Sequence, residues 1–86
     1  MNQYLHDFHK MMVIKDFSQN TIKNYMYKLK LYLQHCTKME EKPDSQSFLE
    51  YLYLLKKNKN LSSASVKQNI GAIKFFLNMS LISGMN

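Results

Sequence analysis

The chain has 86 residues, 45% of them hydrophobic, and its 12 basic and 6 acidic residues give a formal net charge of +6. A chain of this length folds into one small domain with a single core, which leaves no room for a catalytic domain with its own cleft. One cysteine excludes an internal disulfide framework, and no apolar run approaches the roughly 20 residues that span a bilayer. We therefore expect a cytoplasmic protein with no membrane partner.

The first half of the chain has the residue spacing of two amphipathic helices. The first is predicted from Gln3 to Lys15, and Ser18 is the expected N-cap of the second. Gaps of three and four residues give each helix one apolar stripe. The predicted inward residues are Leu5, Phe8, Met11 and Met12 in the first helix and Ile22, Tyr25, Met26, Leu29, Tyr32, Leu33 and Cys36 in the second.

The second half predicts two more helices after the loop TKMEEKPDS. Either Asp44 or Ser45 caps a third helix of about residues 46–57, and Ser62 or Ser63 caps a fourth that runs to about residue 81, with Gly84 as a terminator. We therefore expect an all-α bundle of four short helices. The predicted inward residues are Phe48, Leu49, Leu52 and Leu55 in the third helix and Val66, Ile70, Ile73, Phe76 and Leu77 in the fourth.

The charges are segregated by helix. Residues 18–38 hold four lysines and residues 56–86 hold five, with no acidic residue in either segment, whereas residues 39–55 are acidic. Asp44 offsets the dipole at the start of the third helix, but the starts of the second and fourth carry only hydroxyls, amides and lysine. Free backbone N–H groups beside ammonium groups favour phosphate, which indicates nucleic acid as the partner. The alternative interpretation is a solvated lysine face that keeps the protein soluble.

Nine polar residues outside the apolar stripes are the predicted DNA contacts. Lysine reaches phosphates, whereas a short polar side chain such as Ser65 or Gln68 approaches base edges. Tyr27 also lies off the stripe, where it fits either a contact to the DNA backbone or a cover over the core. The predicted DNA-binding residues are Thr21, Lys23, Lys28, Lys30, Ser63, Ser65, Lys67, Gln68 and Lys74.

Three histidines are the remaining candidates for chemistry. His6 and His9 lie three residues apart, and His35 is the third. No acidic or cysteine partner shows the spacing of a metal motif, so ordinary surface histidines are favoured over a metal site. Cys36 ends an apolar stripe and is interpreted as a core residue. We expect no metal, no cofactor and no catalytic residue.

Two segments, FSQNTIKNYMYKLKLYLQHC and FLEYLYLLKKNKNLSSASVKQNIGAIKFFLNMSLISGMN, together cover most of the chain. They resemble the N-terminal core-binding, SAM-like domain of tyrosine recombinases, which include the phage integrases. Ser65 and Lys74 stand where threonine and arginine are commoner, and Cys36 replaces a larger apolar residue. The residues that carry the resemblance are Ser18, Thr21, Tyr25, Leu29, Tyr32, Cys36, Leu61, Ser62, Ser65, Ile70, Ala72, Ile73, Lys74, Phe76 and Leu77.

The resemblance implies a compact orthogonal four-helix domain that forms half of a clamp around double-stranded DNA and acts in DNA integration and recombination. It implies three partners: duplex DNA, the catalytic domain of the same parent chain, and other recombinase protomers in a tetramer on DNA. The residues leave open a phage, transposon, integron or chromosome-resolving parent. A SAM-like protein-interaction module without DNA function is the main alternative, and a bundle acting at an anionic membrane surface is another.

Overall fold

A computed structural model describes the backbone of residues 2–84 and the side chains of residues 3–79. Four helices and no strand occupy this part of the chain: α1 (Asn2–Ile14), α2 (Gln19–Met39), α3 (Ser45–Lys59) and α4 (Ser63–Gly84). The predicted all-α bundle is confirmed. Three helices run further than predicted, because α2 continues through residues 37–39, α3 ends at Lys59 and α4 reaches Gly84. The two residues after Gly84, at positions 85–86, lie outside the part of the chain that the structure describes.

Residues in the left-handed conformation follow three of the helices. Asp16, Glu40 and Asn60 have φ values of 60°, 56° and 49°. After α1 and α2 the chain then turns back onto its own helix: the Phe17 N–H donates to Met12 O at 3.0 Å, and the Glu41 N–H donates to Cys36 O at 2.9 Å. These bonds satisfy carbonyls that the last helical turn leaves unpaired. The breaks predicted from the sequence are therefore built without glycine.

Helices α2 and α4 form the central pair of the bundle. Their contact is the most extensive between any two helices, α1 and α3 each pack against both of them, and α1 and α3 do not touch within residues 2–84. Gly71 leaves room for the Tyr25 side chain of α2, because a Cβ atom added there would lie 2.9 Å from the Tyr25 hydroxyl oxygen. Among the described residues no helix has the length and apolar character needed to cross a membrane.

All four helices contribute to one buried core. Phe17 closes it at the α1–α2 turn, with its ring 5.3 Å from Phe75 and 6.0 Å from Tyr25, centroid to centroid. The predicted stripe of α2 is confirmed, since its last four members are buried and the others are partly buried. The buried apolar residues are Phe8, Met12, Leu29, Tyr32, Leu33, Cys36, Phe48, Tyr51, Ala72, Ile73, Phe76 and Met79.

A buried polar cluster joins α2 to the start of α3. The hydroxyl groups of Tyr32 and Ser47 lie 2.6 Å apart, and Ser47 Oγ donates to the carbonyl oxygen of Lys42 at 2.8 Å. Ser47 also completes a capping box, in which its N–H donates to Asp44 Oδ1 at 2.8 Å and its Oγ accepts from the Asp44 N–H at 3.1 Å. Burial is the main cause that raises the pKa of Tyr32, so this phenol stays protonated and able to donate.

The rotation of α3 differs from the sequence prediction. The polar cluster buries Ser47, and Phe48 and Tyr51 complete the core-facing side. Leu49 then lies on the outer side, where 61% of it is exposed, so the prediction that it faces the core is wrong. Two hydrogen-bonded hydroxyl groups, which the apolar pattern does not report, set this rotation.

We predict that Ser47→Ala lowers the free energy of unfolding by about 1–3 kcal/mol, because it removes a helix cap and several buried hydrogen bonds. Ser45→Ala, in the same helical turn but exposed, changes it by less than about 0.5 kcal/mol. Urea denaturation followed by circular dichroism measures both. Equal effects of the two substitutions would contradict the role given to the cluster.

Candidate nucleic-acid interface

The outer face of α2 carries the lysines that the sequence singled out. Lys23 and Lys30 are exposed, because they lie about a third of a turn from the middle of the buried stripe. Lys28 is half-buried at the edge of that stripe. Tyr27 projects from the outer face with 60% of its surface exposed, and both of its interpretations stay predictions.

The buried face of α4 is centred on Ala72 and Phe76, both fully buried. The small residues at 71 and 72 let α4 approach α2 closely on this side. Ile70 is consequently 39% exposed, and the prediction that it faces the core is wrong. It lies between Lys67 and Lys74 on the outer face, about one helical turn from each.

The first turns of α2 and α4 have the same geometry. Ser18 Oγ accepts from the Thr21 N–H at 3.1 Å and donates to Thr21 Oγ1 at 2.9 Å. Ser62 Oγ accepts from the Ser65 N–H at 3.2 Å and donates to Ser65 Oγ at 3.3 Å. Ser62, rather than Ser63, is therefore the cap of α4. Neither first turn holds an acidic residue, so no carboxylate within these turns offsets the positive end of the helix dipole.

A groove of about 640 Å³ opens between α2, α3 and the start of α4. Of the nine predicted residues, only Lys28 and Ser65 line it. We call it the α2–α3–α4 groove. Its lining residues are Tyr27, Lys28, Leu31, Gln34, His35, Lys38, Tyr51, Leu54, Leu55, Asn58, Lys59, Leu61, Ser65 and Asn69.

A second, more apolar surface lies between α3 and α4, and Ser63 and Lys67 belong to it. We call it the α3–α4 surface. The other predicted residues, Thr21, Lys23, Lys30, Gln68 and Lys74, lie outside both sets. The structure therefore spreads the nine predicted residues over several surfaces. The start of α4 contributes residues both to the α2–α3–α4 groove and to the α3–α4 surface. The α3–α4 surface consists of Leu49, Leu52, Tyr53, Lys56, Ser63, Val66 and Lys67.

Sequence reasoning missed several residues of the α2–α3–α4 groove. Lys38 and Lys59 could have been identified because they belong to the basic segments, and Tyr27 because it is an aromatic residue outside the apolar stripe. Tyr51 and Asn69 gave no indication, because an aromatic residue on a helix reads as core and an asparagine reads as surface. Asn69 is in fact only 5% exposed, and its Nδ2 donates to the Ser65 carbonyl oxygen at 2.9 Å.

Aromatic and imidazole rings lie close together in this groove. The centroids of His35 and Tyr51 are 5.1 Å apart with an interplanar angle of 47°. Burial raises the pKa of Tyr51, and the neighbouring Tyr27 and Cys36 raise it further. The Tyr51 hydroxyl is therefore a neutral donor at physiological pH. Within the described residues, no three histidine, cysteine or acidic side chains come together as a metal site.

Comparison with known proteins gives one family. The model described as phage integrase, N-terminal SAM-like domain, matches residues 4–81. The match therefore spans all of α1–α3 except the first two residues of α1, and α4 as far as residue 81. No curated protein and no solved structure matches the chain significantly.

The corrected rotation of α4 gives a stability prediction. Ile73→Ala should lower the free energy of unfolding by about 2–5 kcal/mol, because it opens a cavity in the core. Ile70→Ala should cost less than about 1 kcal/mol, because this side chain is already partly in water and alanine favours the helix. Denaturant titration of the two variants measures the difference. A larger loss from Ile70→Ala would restore the rotation expected from the sequence.

Proposed function

The chain belongs to the phage integrase N-terminal SAM-like family, a non-catalytic part of the tyrosine recombinases, and on this premise we propose that it binds double-stranded DNA. In the proposal it clamps the duplex at the recombination site of a tyrosine-type site-specific recombinase. Its role is then in DNA integration and recombination, and its parent is a mobile-element or chromosome-resolving enzyme. Strand exchange itself is assigned to the catalytic domain of the same parent chain.

The observation that carries the proposal is the pair of matching first turns in α2 and α4. Each is capped by a serine hydroxyl, lacks a carboxylate and is followed within two residues by an exposed lysine, Lys23 in α2 and Lys67 in α4. Helix starts of this kind attract phosphate through backbone N–H groups and the dipole, and lysine adds a mobile positive charge. A duplex that lies across both starts gains phosphate contacts from two helices.

Residues at the start of α4 are suited to the grooves of the duplex. Gln68 is exposed, and Ser65 is half-buried at the edge of the α2–α3–α4 groove. Neither carries a charge, so their contribution depends on hydrogen bonds to base edges rather than on attraction to the backbone. In the proposal, Lys23, Lys28, Lys30, Lys67 and Lys74 position the domain on phosphates. Thr21 and Ser63 add short hydroxyl contacts.

The absence of arginine from the chain supports a role in binding rather than in phosphoryl transfer. All 12 basic residues are lysines. Bidentate clamping of a pentavalent phosphate needs a planar guanidinium, which lysine cannot replace. We propose that the catalytic domain supplies this chemistry, and that other protomers join in a tetramer on the DNA.

The α3–α4 surface favours the alternative function, a SAM-like protein-interaction module. Leu49 and Tyr53 lie one turn apart on α3 and are 61% and 58% exposed. Exposed apolar side chains that adjoin one another are typical of protein contacts. A measurement of DNA affinity distinguishes the two functions, because a protein-interaction module does not need to bind DNA.

We predict that log affinity for duplex DNA falls with log salt concentration at a slope of about −3 to −5, because each phosphate contact contributes about −0.9. Fluorescence anisotropy with a labelled duplex at several salt concentrations measures it. Lys23→Gln should reduce the steepness by about 1, whereas Lys10→Gln, an exposed lysine of α1, should leave it unchanged. If the folded domain does not bind duplex DNA, the proposed function is contradicted and the protein-interaction module becomes the favoured function.

A second prediction separates backbone contacts from base contacts. Lys74→Ala and Lys23→Ala should weaken binding to all duplexes alike, because phosphates are common to every sequence. Gln68→Ala should mainly narrow the affinity range between the best and the average duplex. Selection from a randomised duplex library, followed by affinity measurements on selected and unselected duplexes, gives both quantities. An unchanged affinity range for Gln68→Ala would contradict the assignment of base contacts to this residue.

A further inference from the structure

The α2–α3–α4 groove has a composition that duplex binding does not require. It is concave, and the exposed lysines Lys23 and Lys30 do not line it. Its volume of about 640 Å³ is within the range of about 300–1,000 Å³ typical of small-ligand sites. None of its lining residues is acidic. Three of them are lysines, contributed by two helices: Lys28 and Lys38 from α2 and Lys59 from α3.

Apolar and aromatic side chains cover much of the groove. Tyr27 is the most exposed of its apolar lining residues, and Leu31 and Leu54 are 37% and 36% exposed beside it. The rings of His35 and Tyr51 lie side by side at a tilted angle in the same groove. Exposed aromatic rings within a basic groove are the features on which proteins stack unpaired nucleobases.

Uncharged polar groups complete the lining. Asn69 is almost fully buried, and within residues 3–79 only its Nδ2 is hydrogen-bonded, to the Ser65 carbonyl oxygen. No fully buried side-chain oxygen or nitrogen of the described residues lacks a partner, so the Asn69 Oδ1 atom, which has none among them, is not fully buried. The same holds for the Tyr51 hydroxyl, and both residues line the groove. An acceptor and a donor are therefore available to the edge of a base.

We propose that the α2–α3–α4 groove binds an unpaired nucleotide of a DNA strand. The base stacks on Tyr27 and presents its edge to Asn69, Ser65 and Tyr51. The flanking phosphates lie against Lys28, Lys38 and Lys59. An acidic peptide would satisfy the lysines and the hydrogen-bonding groups but would leave the exposed Tyr27 ring without a planar partner, whereas a nucleobase stacks on the ring and its flanking phosphates satisfy the lysines. The inference rests on the proposed DNA-binding function and adds single-stranded DNA as a ligand.

The test is binding of the whole 86-residue chain to four probes at one salt concentration. They are an oligothymidylate of about a dozen nucleotides, an abasic sugar-phosphate strand of the same length, a duplex of the same length, and an oligoglutamate peptide. Oligothymidylate should bind at least about fivefold more tightly than the abasic strand, because stacking stabilises each bound base. Equal affinity of the two strands, or competition by oligoglutamate as strong as that of the abasic strand, would overturn the proposal.

Matched tyrosine variants locate the site. Tyr27→Ala should weaken oligothymidylate binding at least about fivefold relative to duplex binding, whereas Tyr27→Phe should retain it because phenylalanine stacks equally well. Tyr53→Ala is the control: Tyr53 is 58% exposed against 60% for Tyr27, but it lies on the α3–α4 surface. Circular dichroism confirms that each variant is folded. Equal losses for Tyr27→Ala and Tyr53→Ala would overturn the proposal.

The result also separates this inference from the proposed function. Salt-dependent duplex binding without binding of oligothymidylate would overturn the single-strand site and leave the duplex function standing. No binding to either form of DNA would overturn both. Chemical-shift changes on adding oligothymidylate should centre on Tyr27, Leu31 and Asn69.

Discussion

The contact between α2 and α4 is the interaction on which the rest of this small fold depends. At Gly71 it places the end of the Tyr25 side chain against α4, where an added Cβ atom would lie 2.9 Å from the Tyr25 hydroxyl oxygen. The helices α1 and α3 pack on this pair and not on each other. A chain of this size has little surplus stability, so the faces buried here decide which faces remain free for ligands.

Two hydrogen bonds of Ser47 set the rotation of α3. The hydrogen bonds of Ser47 to Tyr32 and to the Lys42 carbonyl oxygen turn α3 so that a serine, rather than a leucine, faces the core. Leu49 is thereby left outside. Its exposure is the reason that α3 and α4 share an apolar surface on one side, while α2, α3 and α4 enclose a more polar groove on the other.

The same arrangement distributes the positive charge. Lys28 lines the α2–α3–α4 groove, Lys67 belongs to the α3–α4 surface, and Lys23, Lys30 and Lys74 line neither. Helix α3 and the start of α4 each contribute residues both to the α2–α3–α4 groove and to the α3–α4 surface. The proposed duplex site uses the helix starts and the exposed lysines, and the proposed site for an unpaired nucleotide uses the concave space beside them.

The sequence by itself determined the helices, their caps and the family. Periodic apolar residues and hydroxyl caps are local features, so α2, its buried stripe and the caps Ser18 and Asp44 were predictable, and the motif residues pointed to the recombinase domain. The lysine-rich, acid-free helix starts were also readable from the residues alone. Neither the sequence nor the structure decides whether each lysine contacts DNA, so these contacts stay predictions.

The tertiary structure decided the rotation of α3 and α4 and the membership of the groove. Leu49 and Ile70 have core-like spacing, but their burial depends on which side of the helix another helix approaches, and this follows from the Ser47 hydrogen bonds and the close approach at Gly71. Tyr27, Tyr51 and Asn69 come together from three different helices. No local pattern reports such a meeting, because the distance between residues on separate helices is set only when the core is packed.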